Sequence, residues 1–232
     1  MSKLFNYLAL LLIVLPFTSC QEKKAEANVP KWILSMVSDS KNTSAETDFS
    51  NILSDKSVPY IGYIGTDYQK FSIDIQKVQR IDDNQYDVSG ITIVKNNRCN
   101  FRGTIDIVEN REFTHPTYGV DDSMKGQFRR RGCSIAKYNL EETSQTGSGV
   151  FTGYLLFYWY ETNDGKFIYD DIDSHSDSYC NNQYAGTWKS NKTKKSKPCA
   201  WGQYRVPNSG DLDVGAGEFS VNPKYAKNGW GK

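Results

Sequence analysis

Histidine is scarce in this chain: His115 and His175 are the only two among 232 residues, which restricts imidazole acid-base catalysis and histidine-rich metal sites. His175 lies in the densest carboxylate cluster near either of them, Tyr169-Asp170-Asp171-Ile172-Asp173-Ser174-His175-Ser176-Asp177-Ser178. Those oxygens could hold a divalent cation, and a histidine among carboxylates could serve as an acid or base with a raised pKa. The plainer reading is an exposed loop after a strand, and it is the one we expect. Asp211-Leu212-Asp213-Val214-Gly215-Ala216-Gly217-Glu218 spaces three carboxylates among glycines, but it lacks the third oxygen residue and the glycine position of a calcium loop. A turn-rich closing segment is expected there instead. The patch Arg129-Arg130-Arg131 and the run Lys192–Lys197 are too short and separate to specify nucleic acid. Together they could meet an acidic partner, lipopolysaccharide phosphates or an anionic polymer. Neither a Gly-x-Ser-x-Gly elbow nor a Walker-type loop occurs. These residues assemble no enzyme, and no metal or cofactor is expected.

Cys20 has a chemistry of its own. It follows Lys3, the apolar run Leu8–Leu15 and the small-residue ending Phe17-Thr18-Ser19, an order of positive, apolar and cleavage regions that belongs to an export signal. The apolar run is shorter than the roughly 20 residues that span a bilayer. The segment resembles the signal and lipobox of bacterial lipoproteins. That resemblance implies a signal peptide at 1–19, a diacylated Cys20 usually carrying a third acyl chain on its amine, and a membrane attachment through lipid alone. Gln21, in place of an aspartate, implies the outer membrane. Residues 20–28, with Glu22-Lys23-Lys24-Ala25-Glu26, form a charged tether.

Four cysteines remain: Cys99, Cys133, Cys180 and Cys199. An even number in an exported chain predicts two disulfides. Three connectivities are possible, and pairing of neighbours, Cys99 with Cys133 and Cys180 with Cys199, suits consecutive antiparallel strands.

The rest, 29–232, is long enough for one domain. Lysine plus arginine balance aspartate plus glutamate at a net charge of +1, so no global field favours nucleic acid. Trp32, Ile33, Met36 and Val37 have helix-like spacing after Pro30, and Phe49–Leu53 suggests another helical turn. Lys41–Thr47 reads as a loop. Beyond Val58 the period is two. Strands are predicted at Phe71–Val78, Tyr86–Val94, Phe101–Val108, Gln127–Lys137, Gly149–Tyr160, Lys166–Tyr169, Tyr184–Trp188 and Cys199–Val206. Turns at Asp82–Gln85, Asn96-Asn97 and Asn163-Asp164-Gly165 separate some of them, and Phe113–Lys125 is a long connection.

An aromatic residue two before a glycine recurs at Tyr60/Gly62, Phe101/Gly103, Phe151/Gly153 and Tyr184/Gly186. Glycine beside a ring permits the bends by which a long sheet curls towards closure. The expected fold is mainly β: a single antiparallel β-barrel or strongly curled β-sandwich of roughly eight to ten strands, with a short helical segment near the mature N-terminus. It is similar in outline to lipocalin-like and other small barrels.

The expected function is a lipid-anchored binding module of the bacterial envelope, acting on a protein partner as an inhibitor or immunity protein against a hydrolase or toxin. Trp201, Tyr204, Asp211, Asp213 and Glu218 are its candidate contacts. The alternative is a barrel-type carrier or sensor of a small apolar ligand, with Tyr154, Phe157, Trp159 and Trp188 lining the cavity. An accessory role in an envelope complex is a further alternative.

Overall fold

A computed structural model describes residues 28–231. The signal segment, Cys20 and all of the tether but Asn28 therefore lie outside the described residues.

Helix α1 (Lys31–Met36) starts at Pro30, whose carbonyl accepts from Ile33 and Leu34. Proline suits this place because it brings no backbone donor to be satisfied and sets a helical φ. The helix is too short to persist alone and is held by packing. Ile33 and Val37 are buried with Ile135, Leu156 and Cys133 on the outer face of the sheet. The expected loop after it contains a short strand, β1 (Ser40–Asn42), which pairs with the far end of a later strand through Ser40 and Phe113. Its polar residues carry no apolar pattern to read. The Arg111 guanidinium holds it, donating to the Ser40 hydroxyl at 2.7 Å, its carbonyl at 2.8 Å and Asn42 Oδ1 at 2.7 Å. Helix α2 (Ser50–Leu53) follows.

Eight strands then form a closed ring: β2 (Tyr60–Ile64), β3 (Gln69–Asp82), β4 (Gln85–Val94), β5 (Asn97–Phe113), β6 (Phe128–Glu142), β7 (Gly149–Thr162), β9 (Asn181–Ser190) and β10 (Ser196–Gln203). β8 (Phe167–Tyr169) is a flap on β7. Every pairing is antiparallel, and β10 against β2 (Cys199 opposite Ile64) closes the ring. The architecture is an up-and-down barrel with no free edge in the ring. β5 and β6 run past their predicted ends, Val108 and Lys137. In β5 the continuation Glu109-Asn110-Arg111-Glu112 is polar, and its ladder comes from β6.

The barrel is filled. At one end α2 supplies Phe49, Ile52 and Leu53, and Phe49 meets Phe157 edge-on at 5.2 Å. There Phe167 packs 4.8 Å from Trp159, and the Arg130 guanidinium lies over both rings. In the middle, Trp201 stacks on Tyr184 at 4.8 Å and meets Tyr138 at 5.1 Å and Phe71 at 5.5 Å. The aromatic-glycine pairs explain how such rings fit. Residues two apart share a face of a strand, and Gly153 and Gly186 lie beside each other. A Cβ on either would stand 2.6 or 2.7 Å from the Tyr138 hydroxyl.

Two further cores lie outside the ring. One is under α1; the other joins Tyr63, Ala185 and Ala200 to Val206, Leu212 and partly buried Trp230 of the C-terminal segment. Trp230 donates to the Tyr68 carbonyl at 2.6 Å, and Asn228 accepts from Gln69 at 2.7 Å.

The expected disulfides are absent; all four described cysteines are free. Cys133 sits opposite Arg111, twelve residues along β5 from Cys99, a span of roughly 40 Å at strand rise. Cys199 pairs with Gly186, six residues beyond Cys180, which is roughly 20 Å. The faces disagree as well. Cys99 shares the inward phase of Phe101 while Cys133 belongs to the outer core, and Cys199 belongs to the interior while Cys180 lines a groove outside the ring.

Candidate functional sites at the two barrel ends

The end closed by α2 and β8 carries an outer groove of about 560 Å³. Alternation after the irregularity at Phe128/Arg130 turns Arg131 outward from β6. Its Nε pairs with Asp170 at 2.5 Å and its Nη1 with Asp173 at 2.7 Å, and it also donates to the Thr117 carbonyl. Thr117 donates to Asp173 at 2.6 Å. Three separate segments, β6, the 114–127 connection and the loop after β8, are thereby tied together. Asn181 adds a stitch, donating to the carbonyls of Tyr158 and Asp170.

Burial pushes the Asp170 carboxyl above the usual carboxylate range, against the pull of the adjacent Arg131. Burial acts the same way on Asp173, but hydrogen bonds from Thr117 and Arg131 outweigh it and hold its carboxyl below that range. Phe113 and Tyr158 form an apolar wall, stacked at 6.1 Å. His115 and Asp177 line the outer part of the groove.

The groove does not assemble acid-base machinery. His115 is exposed, and its Nδ1 faces both Asp39, at 3.0 Å, and Thr114, at 3.2 Å. A relay needs carboxylate and nucleophile on opposite ring nitrogens. His175 is exposed in the same loop, while Asp173 is committed to Arg131. Among the described residues no three His, Cys, Asp or Glu side chains converge as a metal centre requires.

The five candidate contacts do not form one surface. Trp201 is fully buried in the barrel and cannot meet a partner. Its inward position in β10 was hidden because a short apolar strand does not show which phase faces the core. Asp213 pairs with Arg205 at 2.9 Å and accepts from the amides of Gly215 and Ser220, so it shapes its own loop. Asp211 is exposed and engaged by Lys224 and Tyr225. Tyr204 is partly buried against Tyr179, 4.7 Å away. Glu218 is exposed.

The opposite end of the barrel is open. Its last inward layer, including Ile64, Thr92, Val94, Glu142, Phe151 and Trp188, surrounds a cup of about 280 Å³. Glu142 is buried; it accepts from the Thr92 hydroxyl, the Gly149 amide at 2.8 Å and the Trp188 indole at 3.0 Å. Cys99 is buried near it, with its thiol pushed up by desolvation and by the Glu142 charge. Of the four cavity candidates only Trp188 lines the cup. Phe157 and Trp159 are core, and Tyr154 packs with α1 outside the ring.

Connectivity also polarises the molecule. The loops joining strands at the open end carry Lys95, Lys192, Lys194 and Lys195 against Asp67. At the sealed end the loop after β8 alone carries Asp170, Asp171, Asp173 and Asp177. The arginine patch and the lysine run therefore lie at opposite ends and cannot act together.

Thr117, Glu142 and Thr92 were missed as site residues, and Arg131 was read only as part of a basic patch, not as the centre of a network. Glu142 had a usable signal, since it continues the inward phase of Tyr138 and Leu140. Arg131 had none, because its partners come from distant segments. Comparison of the chain with protein-family models, curated proteins and solved structures finds no match in any of the three.

Proposed function

We propose that this chain is a lipid-anchored binding module of the bacterial envelope, attached through Cys20 and directed at a protein partner. The observation that carries the reading is the groove at the sealed end, where an aromatic wall of Phe113 and Tyr158 adjoins the exposed carboxylate of Asp177. A basic side chain of a partner laid there gains both charge pairing and the face of a ring. The Arg131 network gives that groove a fixed shape, so little ordering entropy opposes binding. An inhibitor or immunity role fits such a rigid recognition surface.

Native mass spectrometry of the chain from Gln21 onward, mixed with an envelope extract, tests the proposal. A stoichiometric protein adduct is expected, weakened at least tenfold by Asp177→Lys. An adduct indifferent to that substitution removes the groove from the interaction, and absence of any adduct removes the partner. The attachment is tested separately by Cys20→Ala, which is expected to abolish incorporation of labelled fatty acid.

A further inference from the structure

We infer that the open barrel mouth is a second binding site, independent of the groove, for a small amphipathic anion whose apolar part enters the cup while its charged head stays at the rim. The orientation follows from where the charges stand. Ile64, Val94, Phe151 and Trp188 give apolar walls, and the aromatic layer around Phe71 and Trp201 closes the cup below. Burying an alkyl or aromatic body there removes apolar surface from water on both sides.

Glu142 serves this arrangement without competing for the ligand. Thr92, Gly149 and Trp188 all donate to it, and the last bond fixes the indole against the cup. Its charge disfavours an anion at depth. At the rim the sign reverses. Lys95 and Lys197 line the mouth with one carboxylate, Asp67, so the cations outnumber it two to one; both lysines are exposed and neither is in an ion pair among the described residues. The arginines at the sealed end behave differently: Arg129 and Arg130 share Glu161, and Arg131 is taken by Asp170 and Asp173. Cations left without internal partners beside an apolar cup are the complement of an anionic head on an apolar tail, whether it comes from a free metabolite or from a lipid.

The chain from Gln21 contains all of the described residues, 28–231, with their ten strands and cores, and so serves for the test. Titration calorimetry and indole N–H spectra would be recorded with octyl phosphate below micelle formation, and with octyl glucoside, inorganic phosphate and anionic phospholipid vesicles. Expected are saturable one-to-one binding of octyl phosphate with a shifted Trp188 indole, and binding at least tenfold weaker for octyl glucoside and for inorganic phosphate. Lys95→Glu combined with Lys197→Glu should weaken octyl phosphate at least tenfold while the urea midpoint stays unchanged. Vesicle binding in addition to octyl phosphate identifies a lipid source, and its absence a soluble one. No binding of monomeric octyl phosphate, undiminished binding by the double variant, or equal binding of inorganic phosphate overturns the inference.

Discussion

Desolvated thiols resist ionisation, and three in this protein show it together: fully buried Cys133 and Cys199 and partly buried Cys180 are pushed up to about 12 by desolvation. In the unfolded chain a thiol ionises near 9. Between those values the native state holds protons that the unfolded state has lost, so stability falls as pH rises. The slope approaches ~1.4 kcal/mol per pH unit for each thiol, and it is absent below the unfolded value. Urea midpoints at pH 8, 9.5 and 10.5 should decline in that order, with buried tyrosines such as Tyr138 steepening the fall at the top; a constant midpoint would count against the burial of these groups. Thiol reagents should likewise react slowly with Cys133 and Cys199, both buried, at pH 8 until the chain unfolds. The residue-level reading identified the cysteines but not their state, because spacing carries no information about which face of a strand each one occupies.

Among the elements, α1 shows how a legible pattern finds its partner only in the fold. Trp32, Ile33, Met36 and Val37 announced a helix with one apolar face, and the structure supplies what that face meets, the outer side of β6 and β7. Ile33→Ala should cost about 2 to 5 kcal/mol and detach the helix from Leu156 and Ile135. Comparing that loss with Leu34→Ala checks the assignment, since Leu34 is 52% exposed and its removal should change stability by less than about 0.5 kcal/mol. Equal losses would contradict the packing. The turn after β4 moved by one residue, to Lys95-Asn96, with Lys95 at φ 55°. Asparagine is the more familiar turn signal, but the ladder from Val94/Asn97 onward sets the register.

Across the whole molecule, a net charge of +1 hides a separation of charge along the barrel axis. Surface fields follow local charge rather than the total. Replacing Lys192, Lys194 and Lys195 by serine should lower the salt needed to elute the protein from a sulfonate matrix much more than replacing Lys31, Lys41 and Lys77, which changes the net charge equally. Similar elution of the two triple variants would show that the ends are not polarised.

Period-two apolar patterning, turn residues and the aromatic-glycine pairs were enough to read an antiparallel, strongly curved β fold, because each depends on residues close together in the chain. Closure of β10 on β2, the sealing of one end by α2, and the separation of the cysteines between inside and outside depended on contacts between distant segments. The same holds for the two sites: Arg131 meets Asp170, and Glu142 meets Trp188, only once the ring has formed. Alternation divides a strand into two faces, but only the assembled barrel decides which face is inside and what stands across from it.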